Sequence, residues 1–216
     1  MNKRVDFVKN CIILYTNEGV GGAPMYKLCK TEQSAIRQRE LELALAEMMN
    51  QQRYEEITVS EFCSHVGIPR KAFYRYFSSK DGALYALIDH TMLEYIGFRT
   101  PSSLKDAENV IRELESFYQF WKGRQAFLDA LKFSGLIGVM LERAINSIDQ
   151  MLVAKKPRPG DTESAQRHIT RFAISGIMIM VVNWHNEGFR ESSREMAELT
   201  ARLVMKPLFP YLMDII

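Results

Sequence analysis

From Ser34 onward, apolar side chains recur at helical spacing almost without pause. Leu41, Leu45, Met48 and Met49 fall at i, i+4, i+7 and i+8, one stripe of a first helix, while Arg37, Arg39, Glu40 and Glu47 lie off it. Thr58-Val59-Ser60-Glu61 has the form of a capping box, in which the Thr hydroxyl accepts from the backbone N–H three residues on and the Glu reaches back. It predicts a second helix from near Val59 that buries Phe62 and Val66. Gly67 stands where a left-handed residue would stop that helix, and Pro69 suits the first turn of the next, where its missing N–H costs nothing. A third helix is expected over about Arg70 to Phe77, with Phe73 and Phe77 on its inner face and Arg70, Lys71, Tyr74 and Arg75 outside. Ser78 and Ser79 are both candidate caps for a fourth helix, Lys80 to Phe98.

After Arg99 the run Thr100-Pro101-Ser102-Ser103 interrupts the pattern. Helices resume over roughly 104–121, 125–133, 136–153, 163–187 and 193–213, separated by the Pro- and Gly-bearing stretch Lys155 to Asp161 and by Gly188 with the capping signal Ser192-Ser193-Arg194-Glu195. No segment alternates with the two-residue period of a strand, so the fold class is all-α. At the other end, Lys3 and Arg4 precede an apolar stretch in the manner of a signal peptide, but Asp6 and Lys9 interrupt it and no clean cleavage site follows. Residues 1–24 end in Gly19-Val20-Gly21-Gly22, and Met25 opens a segment that reads like a natural start. The leader is therefore expected to be dispensable or an over-long translation.

Composition narrows the function. Net charge is only +2, so nucleic-acid binding rests on a local patch rather than on the total. That patch exists: between Gly67 and Lys80 stand four basic residues and no acid. Cys11, Cys29 and Cys63 are odd in number and form no CxxC pair, which suggests neither a disulfide framework nor a structural metal, and fits a reducing cytoplasm. The uncharged stretches Cys11 to Tyr15 and Phe172 to Trp184 are shorter than the roughly 20 residues that span a bilayer, so no membrane role is expected. There is no HExxH, no Gly-rich phosphate loop and no GxSxG, and the histidines show no metal spacing; neither catalysis nor a cofactor is expected.

Two short helices joined by a Gly-containing turn, the second basic and aromatic, make the arrangement that lays a recognition helix in the DNA major groove. Arg70, Lys71 and Lys80 would replace counterions condensed on closely spaced phosphates, with tyrosine hydroxyls adding hydrogen bonds. The whole run from Thr58 through Gly67, Arg70, Tyr74, Tyr76 and Phe77 to Lys80-Asp81 resembles the signature of the TetR family, strongly over about residues 35 to 90. The resemblance implies that Thr58 contacts phosphate at the start of the second helix, that Tyr74 and Tyr76 contact the backbone, and that Lys80 does so from the fourth helix. Where the family often carries Ser, Gly and Thr at the start of the recognition helix, this chain has Pro69, Lys71 and Ala72, which removes a hydroxyl cap and a hydroxyl contact. Arg70, Lys71, Ala72 and Arg75 complete the expected DNA-facing set.

The resemblance also implies a division of the chain: an extension over 1–30, a helix-turn-helix domain over 31–80, a connecting helix over 81–98, and a helical ligand-sensing and dimerisation domain over 99–216. Its last two long helices would pair with their counterparts in a homodimer. Phe172, Ile177, Met180 and Trp184 on one, with Leu199 and Leu203 on the other, are the expected contacts, and the apolar residues of 172–184 cover more than one side of their helix. Phe117, Trp121, Phe127, Phe133, Met140 and His168 are the expected lining of a cavity for a small-molecule effector, on the argument that such pockets are apolar with a few polar groups. Each assignment has a plainer rival: Thr58 as a cap alone, Tyr76 as core, Arg75 as a solvated charge, and the aromatic residues as packing. The expected function is a ligand-responsive regulator, by default a repressor, on a near-palindromic duplex site; its rival is a helical adaptor that binds protein and no DNA.

Overall fold

A computed structural model describes residues 25–27, 29–98, 106–153, 160 and 162–205; the leader before Met25 and the chain after Met205 lie outside the described residues. Among these residues the regular structure is helical: α1 (Glu32–Met49), a 3-10 turn (Tyr54–Glu56), α2 (Val59–Val66), α3 (Arg70–Phe73), α4 (Lys80–Phe98), α5 (Ala107–Lys122), α6 (Gln125–Phe133), α7 (Ile137–Val153), α8 (Glu163–Asn186) and α9 (Ser193–Met205). None of the described helices is long and apolar enough to cross a membrane. The described residues fall into two compact units, one within 1–97 and 126–167 and the other within 98–125 and 168–216.

In the first unit the predicted stripe of α1, Leu41, Leu45, Met48 and Met49, is buried as its spacing requires. Thr31 caps the helix, its hydroxyl accepting from the Ser34 N–H at 3.3 Å. The same helix also buries Glu42, fully, and places Arg39 beside it at 3.0 Å. Arg39, expected on the outer side, instead bridges to α4: its Nε donates to Glu94 at 2.9 Å and its Nη2 to the Thr91 hydroxyl at 3.0 Å. His90 Nδ1 lies 2.8 Å from the second oxygen of Glu42. A buried carboxylate is tolerated because each oxygen has a hydrogen-bonded partner.

The capping box at Thr58 forms with both of its bonds, and α2 ends on Gly67 at φ 71, ψ 38, the left-handed conformation that glycine adopts without a Cβ penalty. α2 buries Phe62 and Cys63, while Val66 stays half-buried. Pro69 is the N-cap of α3 rather than a residue of its first turn. The third helix is shorter than its periodicity suggests: regular α-structure stops at Phe73, and residues 74–76 continue as turns. The reason is tertiary. Phe77 pairs with Tyr26 in an antiparallel bridge, flanked by Lys27 N–H to Tyr76 C=O at 2.8 Å and Ser78 N–H to Met25 C=O at 3.0 Å. Phe77 N–H still donates to Phe73 C=O at 3.1 Å, but the next N–H, that of Ser78, turns to Met25 instead of continuing the helical ladder.

In the second unit α5 packs along α9, and Tyr118 and Thr200 share a buried hydroxyl–hydroxyl bond of 2.6 Å across that contact. Asp106 caps α5 by accepting from the Asn109 N–H at 2.8 Å, so the helix begins at Ala107. The predicted stop at Gly188 (φ 76) is present, and Phe189 follows it at φ 56, its N–H donating to Trp184 C=O at 2.8 Å. Phe189 holds this costly conformation with its ring 4.7 Å from that of Trp184. Ser192 and Glu195 then form the reciprocal cap that opens α9.

Candidate nucleic-acid interface

The short α3 and the turn after it present the basic side chains. Gly67 ends α2 and Pro69 starts the next element within two residues, so Arg70 and Lys71 project from the first turn, both exposed. Phe73 is the buried root of the segment, its ring set against Phe62, Tyr74 and Phe77 at centroid distances of 5.6, 5.4 and 5.2 Å. Tyr74 is 43% exposed, which leaves its hydroxyl at the surface, where Arg70 Nη2 donates to it at 3.4 Å. That bond raises the Arg70 guanidinium above its ordinary range, so the charge is permanent. Arg75 is exposed, Ala72 and Tyr76 are half-buried, and the Tyr76 ring packs 6.2 Å from Phe77. The exposed edge is therefore Arg70, Lys71, Tyr74 and Arg75, a cationic surface with two of its members preset against each other.

Two members of the expected set are tied up internally. The Thr58 hydroxyl is exposed but accepts from the Glu61 N–H at 3.2 Å and donates to Glu61 Oε2 at 2.8 Å. The Glu61 carboxyl, bonded first of all by the Thr58 backbone N–H, is held below the usual carboxylate range. Lys80, expected at a phosphate, donates its ammonium to the carbonyl oxygens of Tyr54 (2.6 Å), Ile57 (2.7 Å) and Glu55 (3.3 Å) and lies 4.2 Å from the centre of the Tyr54 ring. An ammonium has three protons to donate, and these carbonyls take them. Of the two candidate caps, Ser79 caps α4 by accepting from the Gly82 N–H at 3.0 Å, whereas Ser78 Oγ donates to Met25 C=O at 2.6 Å.

Met25 to Lys27 pair with Tyr76 to Ser78, a contact that the sequence pattern did not single out beyond marking Met25 as a start. They form the strap on which the end of the recognition segment rests. A Cβ on Gly82 would come within 2.0 Å of the Met25 carbonyl oxygen, so glycine is needed for the strap to lie where it does. Nothing in local periodicity signals a contact between residues so distant along the chain. A shallow cleft of 490 Å³ flanks the segment, lined by Thr31, Ser34, Arg37, Glu40, Arg75 and Tyr76.

Residues 43–87 match the family model for bacterial regulatory proteins of the tetR family. Over these residues the chain is similar to the tetR family. The matched segment runs from within α1, through the helix-turn-helix, to Leu87 in α4, and so contains every member of the exposed basic edge. Among solved structures the chain is similar to the crystal structure of a tetR-family transcriptional regulator from Streptomyces coelicolor, with 17% sequence identity over 78% of each chain and a TM-score of 0.49. No curated protein sequence matches the chain.

The residues expected to line an effector cavity are divided between the two units. In the first, Phe127 and Met140 are buried and Phe133 is 51% exposed. In the second, Trp121 is buried with Phe117 against it at 6.2 Å, and His168 is exposed. Phe133 and His168 thus present themselves to solvent. Of the residues expected at a dimer contact, Phe172 is 68% and Leu199 38% exposed, while Ile177, Met180 and Leu203 are half-buried. Trp184 differs: it is enclosed in its own unit, its ring 5.4 Å from Tyr118, with its indole N–H donating to Glu191 C=O at 3.1 Å.

Proposed function

We propose that this TetR-type regulator binds a near-palindromic duplex site as a homodimer, and that a small-molecule effector releases it, which makes it a repressor. The observation that carries the DNA reading is the exposed edge Arg70, Lys71, Tyr74 and Arg75 on a short helix set by a capping box and a left-handed glycine. Two copies of that edge would enter successive major grooves, about 34–36 Å apart for half-sites one turn apart. Lys71, where the family often has another residue type, supplies a charge to the start of the recognition helix.

The dimer reading is supported by the apolar side chains that α8 leaves uncovered, Ile169, Phe172 and Ile179, a row no single protomer gains by exposing. An effector held by the helical part beyond residue 98 would act by shifting α4, which runs on from the recognition segment. For a near-complete reversal it must prefer the released state by about 5 kcal/mol.

Selection of bound fragments from a random duplex library tests the reading, using the full chain and an Arg70→Ala/Tyr74→Ala double variant. The expected result is one near-palindromic site, lost in the double variant and weakened steeply by salt. Failure to enrich any site at low salt overturns the DNA reading in favour of a protein-binding adaptor.

A further inference from the structure

We propose that Tyr26, Asp89 and Arg143 are positioning residues for the DNA-reading segment, a relay that ties its C-terminal end to α7 so that displacement of α7 alters how the segment is presented. The proposal rests on the DNA-binding reading and adds to it the route by which the reading head is controlled. The end of the segment, Tyr76 to Ser78, is held by main-chain and hydroxyl bonds to Met25 and Lys27. Tyr26 stands between those two residues, and its side chain runs inward to the body of the unit. Its hydroxyl donates to Asp89 Oδ2 at 2.6 Å, and its ring meets His90 edge-on at 5.5 Å.

Asp89, on α4, is fully buried, and the charge that balances it comes from a third element. Arg143 of α7 donates from Nε to Asp89 Oδ1 at 2.5 Å and from Nη2 to Oδ2, while its guanidinium lies over the Tyr85 ring at 4.5 Å. A buried carboxylate gripped by two nitrogens of a guanidinium cannot shed that partner without leaving a charge uncompensated, so Tyr26, Asp89 and Arg143 move as a set. The other end of the helix-turn-helix carries a matching tie. The Tyr54 N–H donates to Ser134 Oγ, in the turn between α6 and α7, at 2.9 Å, and the Tyr54 hydroxyl donates to Asp81 at 2.6 Å. The turn that begins α7 and the arginine on its second turn thus grip the reading head at both ends.

The test is amide hydrogen exchange and duplex binding of the full chain with Tyr26→Phe and Arg143→Gln. Tyr26→Phe keeps the ring against His90 and removes only the bond to Asp89, so it retains the fold even if Arg143→Gln does not. The expected result for Tyr26→Phe is exchange about tenfold faster at the Lys27 and Ser78 amides, as the loss of one hydrogen bond to a charged group implies, with α5 and α9 unchanged. Affinity for the selected site falls by a similar factor while non-specific affinity and the salt slope hold, because no phosphate contact is removed. Unaltered exchange at Lys27 and Ser78 overturns the relay, as does an equal loss of specific and non-specific affinity, the mark of general destabilisation. If the parent chain selects no site, the DNA reading fails, and the exchange measurement still decides the relay.

Discussion

The ammonium of Lys80 donates to the carbonyl oxygen of Tyr54 at 2.6 Å and sits 4.2 Å from the centre of the same residue's ring. One cation thereby closes the carbonyl end of the 3-10 turn just before α2 and fixes the start of α4. Burial, with the bond to Asp81, also pushes the Tyr54 phenol far above its ordinary range, so the ring stays neutral and keeps donating.

Lys80→Ala is therefore expected to act on stability. Loss of charge-assisted bonds to main-chain carbonyls costs about 2 kcal/mol, read as a lower denaturation midpoint. The salt dependence of duplex binding should stay that of the parent, whereas Arg70→Ala should reduce the slope of log K against log salt by about 0.9. A slope lowered equally by both substitutions would place Lys80 at a phosphate.

Gly82→Ala should dislodge the strap. The new methyl group would overlap the Met25 carbonyl, a main-chain atom that cannot swing aside as a side chain can. The expected outcome is faster amide exchange at Lys27 and Ser78 and weaker site-specific binding. A chain beginning at Thr31, compared with one beginning at Met25, should reproduce both effects without touching α4.

The two capping boxes carry a pH dependence. Glu61 and Glu195 are both held below the usual carboxylate range, chiefly by the backbone N–H groups of Thr58 and Ser192. A carboxyl whose folded pKa is depressed adds stability above its unfolded pKa and loses it as pH falls through the folded value. Glu61→Gln keeps an acceptor but not the charge. Its stability deficit against the parent should be present at neutral pH and vanish in acid; a deficit constant with pH would assign the box no electrostatic part.

Phe172 and Trp184 lie on the same helix and should fail differently. Phe172→Asp alters an exposed side chain, so the expected outcome is a folded protein of half the parent's mass by sedimentation. Trp184→Ala empties the core beside Tyr118 and Phe189, at a cost of about 3–5 kcal/mol. Dimers that survive Phe172→Asp would move the interface elsewhere.

What the chain's own pattern determined is whatever depends on neighbours a few residues apart. The stripe of α1, the box at Thr58, the left-handed Gly67, the stop at Gly188 and the cap at Ser192 are set by bonds within one or two turns, and they sit where spacing places them. The basic edge was legible for the same reason, because residues on one short helix share a surface through their spacing alone.

Tertiary structure decided the length of α3, the destination of Lys80 and the charges inside. The helical ladder stops where Phe77 pairs with Tyr26 and Ser78 bonds to Met25, and Glu42, Asp89, Arg39 and Arg143 find their partners 48 to 63 residues away or, for Arg39 and Glu42, on an adjacent turn that only becomes interior when α4 covers it. A charged residue read along the chain carries the presumption of solvent. It is buried only where a distant element brings the opposite charge, and that meeting is a property of the packed chain, since the free energy of a buried ion depends on the partner within bonding distance and not on its neighbours in sequence.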